Sequence, residues 1–242
     1  IALYEYGSYM LYKGDYIRQI TPLTVDLDLI SKELFALTTS GSEEYCGTVI
    51  QRALKELEWG QNEADMKLVY IAGNEEFTQG SVSYKTAIAD ALKKNIFVNT
   101  IHCGDEEIGV RDYWKDAALR GNGKFFNINA DATVRAIKTP FDPQIILCNN
   151  KLNDTYISYG STGRERKMNQ IAQDKNAGTI SSANYAERAV SKSGSAYKNT
   201  SWDLVDKMKE EQNVLLSIKK DELPQEMQNN ATEEIKRISA QK

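Results

Sequence analysis

One histidine, His102, stands among 242 residues, so no multi-histidine metal centre can form and a single imidazole is left for acid-base chemistry. Cysteine is almost as scarce. Cys46, Cys103 and Cys148 have no CxxC spacing, which excludes a four-thiolate zinc site and leaves at most one disulfide. No apolar run approaches the roughly 20 residues that cross a bilayer, so no membrane span is expected. Neither GxGxxG nor GxxxxGK[ST] occurs after an apolar run, and dinucleotide or P-loop chemistry therefore lacks its phosphate cradle. Basic charge is not in surplus: the net charge is -4, whereas a phosphate-tracking protein carries a basic face, and no nucleic-acid partner is expected. The first residue is Ile1 rather than a start Met with a basic, apolar leader, so the chain reads as processed or truncated.

Against these absences stand an apolar content of 41%, enough for a real core, and one ordered block that organises it. From Lys67 to Asn129 the runs KLVYIAGNEEF, SYKTAIADALKKN, IFVNTIHCG, VRDYWKDAALRGNG and KFFNIN read as strand, helix, strand, helix and strand. Short connections in this order imply a parallel sheet covered by helices on both faces. Ligands of such sheets sit beyond the carboxyl ends of the strands, which directs attention to the polar segments after Ala72 and Ile101.

The flanks follow the same periodicities. IALYEYG and YIRQITPLT, separated by a turn between Gly7 and Gly14, predict a hairpin at a sheet edge. Asp26 caps a predicted helix with Leu27, Ile30, Leu34 and Leu37 on its apolar stripe. After TSGSEEYCG a second helix presents Val49, Ile50, Ala53, Leu54 and Leu57, and Ser83 opens a third with Ala87, Ile88, Ala91 and Leu92 inward, closed by Asn95. Beyond Asp131 the pattern fades, and the paired prolines of KTPFDPQ predict a linker over 140–150. RERKMNQIAQDKNA, NYAERAVSKSGSAY and SWDLVDKMKEEQNVLLSIKK predict a helical extension over 151–223, and 224–242 reads as a polar, solvated tail. Residues 1–149 hold 15 Lys plus Arg against 21 Asp plus Glu, and 17 of the 22 aromatics, so the main core belongs to the domain at 1–139.

The segment order, with WKDAALRGNGKFFNI as a helix of small residues running into a Gly turn and a last strand, resembles the closing part of a von Willebrand factor A domain. More narrowly, ALYEYG, YIRQITPLT, DLDLISKELFALTTSGSEEYCGTVI, AGNEEFTQG and VNTIHCG look like a bacterial, exported subfamily, in which a helical region containing ERAVSKSGSAYKNTSWDLVD follows. The resemblance implies an α/β, Rossmann-like, doubly wound and mostly parallel sheet with an edge hairpin, followed by a helical C-terminal extension. It also implies a periplasmic or extracellular location. Domains of this family carry a metal-ion-dependent adhesion site whose Asp-x-Ser-x-Ser turn follows the first strand. No such turn occurs in this chain, so the resemblance places that strand and turn upstream of Ile1. The absent strand is central in the family's sheet, between the strands at residues 1–6 and 67–72, and its loss would expose two long edges.

At the positions that complete the family's cation site, this chain has SGSEEYCG and Gly73-Asn74 followed by Glu75-Glu76. The resemblance thus makes Glu43, Glu44 and Asn74 candidate ligands of Mg2+, Ca2+ or Mn2+, hard cations that take oxygen donors. Ser40, Ser42, Glu75, Glu76 and Asp105 would form the partner-binding rim around them. The same acids also read as solvated caps at helix starts. Cys46 and Cys103 follow segments expected at one rim of the sheet, so a pairing and two separate, partly buried thiols are both open. His102 beside Cys103 suggests a base and a nucleophile, but neighbours on a strand point to opposite faces, which favours a structural histidine. The expected function is non-enzymatic: a protein-binding or adhesion-type module. An assembly protein with a vestigial metal site, contacting partners through Trp202, Leu204, Val205 and Met208, is the second reading.

Overall fold

The computed structural model describes residues 1–38, 40–129, 137–211, 213–230 and 232–240. They form two compact units, Ile1–Thr24 with Leu37–Val134, and Val25–Ala36 with Arg135–Lys242. In the first unit, β1 (Leu3–Tyr6) and β2 (Ile17–Thr21) pair antiparallel across a 3-10 turn at Tyr9–Gly14. Helix α1 (Leu27–Ala36) belongs to the other unit. The chain then runs through α2 (Cys46–Glu56), β3 (Lys67–Gly73), α3 (Tyr84–Lys93), β4 (Ile96–Cys103), α4 (Glu106–Arg111), α5 (Trp114–Arg120) and β5 (Asn122–Ile128).

β3, β4 and β5 form a parallel sheet in that order, with Lys67 opposite Ile96 and Gly73 opposite His102. The register of β5 on β4 shifts between Val98 and Thr100. Gly123 makes this possible, because a methyl group there would collide with the Val98 carbonyl. One face of the sheet is packed. Ile71 and Val98 meet Val49, Ile50 and Leu54 of α2, Ala87, Ile88 and Ala91 of α3, and Trp114 and Ala117 of α5 in one buried cluster. Phe77 stacks edge-on against both Trp114 (4.8 Å) and Tyr84 (5.3 Å), a geometry that adds to plain area burial. The inward residues expected of α2 and α3 are those found buried, apart from Leu57 and Leu92, which are half-buried. Asn95 ends α3 in the left-handed conformation that a helix terminus tolerates best in Gly or Asn.

Two expectations for this unit are corrected. β1 and β2 make a sheet of their own rather than the edge of the parallel one. The helices cover one face of the parallel sheet; on the other, Leu68, Tyr70, Phe97, Phe126 and Ile128 remain exposed.

The second unit is helical: α1, α6 (Asp142–Thr155), α7 (Gly163–Ile180), α8 (Ser182–Ser193), α9 (Leu204–Glu210) and α10 (Thr232–Ala240), with 3-10 turns at Val214–Leu216 and Lys220–Glu222. Asp26 caps α1 as predicted, its carboxylate accepting from Leu29 N at 2.9 Å. Of the α1 stripe, Ile30 is buried and Leu34 exposed. The stretch expected as a linker is largely α6. Pro143 sits in its first turn, where a missing N–H costs nothing and the proline ring presets φ, so a residue read as a breaker acts as an initiator. The stretch expected as a solvated tail packs instead: Met227 and Ile235 join Ile157, Leu204, Val214 and Leu223 in a core of the unit.

Candidate functional site

The carboxyl ends of β3 and β4 bring part of the predicted rim together. Glu44, just before α2, reaches the end of β3, where its Oε2 accepts from Asn74 N (3.0 Å) and Glu75 N (3.2 Å). Glu44 N donates in turn to Gln79 Oε1 at 2.8 Å. Gly73 has to be glycine for this contact, since a side chain there would overlap the Glu44 carboxylate and the Trp114 ring. Burial is the largest influence on Glu44 and pushes its carboxyl above the ordinary glutamate range, against the opposing effect of the two backbone donors.

The remaining rim residues are held by local bonds. Ser40 Oγ lies 3.2 Å from Ser8 Oγ, and Ser42 Oγ lies 3.1 Å from the Tyr9 hydroxyl. Glu43 accepts from Ser42 N at 3.3 Å, Asn74 Nδ2 donates to Glu75 Oε1 at 3.3 Å, and Glu76 accepts from the Thr78 hydroxyl at 2.5 Å. Asp105 caps α4, accepting from Glu107 N (2.9 Å) and Ile108 N (3.2 Å). A divalent cation fits this arrangement poorly. Glu44 Oε2 already accepts from two backbone N–H groups, those of Asn74 and Glu75. Among the described residues no three His, Cys, Asp or Glu side chains cluster so as to hold a metal ion.

Cys46, Cys103 and Cys148 are free thiols, the first buried. His102 is buried on the packed face beside Trp114, its Nδ1 2.9 Å from Asn127 Oδ1. Asn127 Nδ2 donates to Gly104 O, which ties the ends of β4 and β5 together through this histidine. The surroundings of His102 are those of a structural residue. The Trp202, Leu204 stripe is absorbed by the second unit's own packing, Trp202 being 2% and Leu204 0% exposed.

The arrangement that sequence reasoning missed lies in the second unit. Asp174 of α7 accepts from Arg188 Nε (2.7 Å) and Lys192 Nζ (2.8 Å) of α8, and from Asn149 (2.7 Å) and Asn153 (2.7 Å) of α6. Arg188 also reaches Asp28 of α1 at 2.6 Å, and Asp28 accepts from the Tyr197 hydroxyl at 2.6 Å. Burial opposes the charged form of Asp174, but Asn153, Lys192 and Asn149 outweigh it and hold the carboxyl below its usual range. Burial lowers Lys192 despite Asp174. A signal was present: Asn149/Asn153, Gln170/Asp174 and Arg188/Lys192 are each spaced by four, and so share a helix face.

No helix among the described residues is long and apolar enough to cross a membrane. No protein-family model matches the chain. No curated protein matches it. Among solved structures, an aerotolerance-related membrane protein from Bacteroides fragilis NCTC 9343, carrying multiple mutations to serine, aligns at 17% identity with a TM-score of 0.35, over 47% of this chain and 67% of that one.

Proposed function

We propose that this chain is a non-enzymatic protein-binding module of von Willebrand factor A type, which engages a protein partner through the open face of its parallel sheet. The observation that supports this reading is the row of apolar side chains left in water. Tyr70 is 58% and Ile128 54% exposed, and Tyr70 and Phe126 lie ring to ring at 6.4 Å across the strands. Parallel sheets are ordinarily covered on both faces, and an apolar patch on a folded surface marks an association site. Among the described residues β3 pairs with β4 alone, which leaves its other edge without a strand partner there. The Tyr6 hydroxyl reaches across from β1 to the Ala72 carbonyl at 2.6 Å, so β1 and β3 stand a side chain apart rather than hydrogen-bonded as strands. Glu75, Glu76 and Asp105 follow closely on the carboxyl ends of β3 and β4 and favour a partner with basic groups there. In this reading Glu44 is a latch between α2 and β3, and no Mg2+, Ca2+ or Mn2+ is needed. The export implied by the family resemblance belongs to the same proposal.

A photo-crosslinking amino acid placed at Tyr70, at Phe126 or at Lys115 on the outer side of α5 tests it in the cells that make the protein. One discrete adduct from 70 and 126, absent from 115 and unchanged by EDTA, is expected. Adducts alike at all three positions, or none at 70 and 126, would overturn the proposal.

A further inference from the structure

Lys192 of α8 has a side chain that is 0% exposed, and its Nζ donates to Asp174 Oδ2 of α7 at 2.8 Å. It donates as well to Oδ1 of Asn153, on α6, at 2.5 Å. Asn153 Nδ2 donates in turn to that same Asp174 oxygen at 2.7 Å. The three side chains therefore close a ring of amine to amide oxygen, amide nitrogen to carboxylate, and carboxylate to amine. The amide cannot turn over, because its oxygen would then face the carboxylate and its NH2 the ammonium. Arg188 Nε holds the other oxygen, Asp174 Oδ1, at 2.7 Å, which fixes the carboxylate within the ring.

Such a ring sets a nucleophile against an electrophile with a proton carrier touching both. A carbonyl bond is about 1.2 Å long, so Lys192 Nζ lies no more than about 3.7 Å from Asn153 Cγ. Reacting atoms roughly 3–3.5 Å apart are in near-attack geometry, so a small shift of the lysine side chain brings it there. Burial pushes Lys192 below the ordinary lysine range, toward the neutral amine that can attack. The same burial keeps out water, the competing nucleophile.

We propose that Lys192 and Asn153 join in an isopeptide bond, formed by attack of Lys192 Nζ on Asn153 Cγ with Asp174 as the proton carrier. Asp174 Oδ2 takes a proton from the Lys192 ammonium. The free amine then forms the C–N bond, and the carbonyl electron pair moves to Oδ1. The carboxyl passes its proton to Nδ2 and receives another from the attacking nitrogen. As the carbonyl re-forms, the Cγ–Nδ2 bond breaks and ammonia departs with the last proton from Asp174, as ammonium. An ammonium and an amide have become an amide and an ammonium ion, and nothing is oxidised or reduced. The bond forms once per molecule, the ion pair of Lys192 and Asp174 is its reactant state, and its product ties α6 covalently to α8. The proposal is independent of partner binding by the other unit.

The test is the intact mass of the full chain, incubated after purification until the mass is constant, followed by tryptic peptide mapping. The expected mass is lower than that of the sequence by about 17 Da, one ammonia, with a branched peptide joining Asn153 to Lys192 and no cleavage after Lys192. Asp174→Asn keeps an acceptor for Lys192 but cannot carry a proton, and Lys192→Met removes the nucleophile. Both variants should keep the full sequence mass, with Trp202 fluorescence reporting that the unit is folded. The native chain decides the matter even where a variant does not fold. A full sequence mass in the native chain, a mass loss that maps elsewhere, a link from Lys192 to Asn149, or the branched peptide in Asp174→Asn would overturn the proposal.

Discussion

Asp203 is 1% exposed and opens α9 with both carboxylate oxygens in use, Oδ1 accepting from Ile157 N at 2.6 Å and Oδ2 from Asp206 N at 2.8 Å. Burial outweighs these donors and pushes its carboxyl up to about 6. In the unfolded chain the same group titrates near the ordinary value of about 3.9. A raised folded value means that the stabilisation is fully present below the unfolded range and is lost as pH rises through about 6. Urea unfolding at pH 4, 5.5 and 7 should therefore show a fall on the order of 2 kcal/mol that Asp203→Asn removes. The variant should also be weaker by about 1 kcal/mol at pH 4, because an amide replaces one of the two acceptors. An unchanged pH slope in the variant would count against this account. An aspartate ahead of a helix is legible as a cap in sequence; that it is buried, and so pH-sensitive, follows only from the core beneath it.

At the scale of elements, α6, α7 and α8 are polar helices joined through charge. Lys192 has a side chain that is 0% exposed and is neutralised by Asp174. Removing one partner of a buried pair leaves the other uncompensated, which costs about 3–5 kcal/mol. Asp174→Ala should cost that much in chemical denaturation followed by Trp202 fluorescence, and Asp174→Asn less, since the amide can still accept from Lys192. A loss below about 1 kcal/mol for the alanine variant would show that the pair behaves as a solvated surface one. α7 and α8 were visible in the sequence as helices, whereas most of α6 read as a linker. Their buried faces were not, because an apolar stripe announces itself against a polar helix whereas a buried polar stripe looks like the solvated side.

For the whole molecule, each unit carries a core of its own, and the end of the chain belongs to the helical one. Met227 and Ile235 are 6% and 4% exposed within it. Truncation after Leu223 should strip these contacts, at roughly 2–5 kcal/mol for each large apolar side chain lost. Hydrogen exchange should then show α9 amides losing protection while those of β4, in the other core, keep theirs. Full protection of α9 in the truncated chain would mean that the terminal segment is not part of that core.

Periodicity and local chemistry in the sequence determined the strand-helix-strand order from Lys67 to Ile128, the inward faces of α2 and α3, and the capping roles of Asp26 and Asn95. Each of these depends on neighbours within a few residues, and such information is carried by spacing alone. The tertiary structure decided what depends on distant partners: that Glu44 closes on the backbone after Gly73, that α1 joins the helices beyond residue 135, that Pro143 starts a helix, and that one apolar face of the sheet stays in water. Spacing shows that a residue has a side to bury; only the packed chain shows what, if anything, comes to cover it.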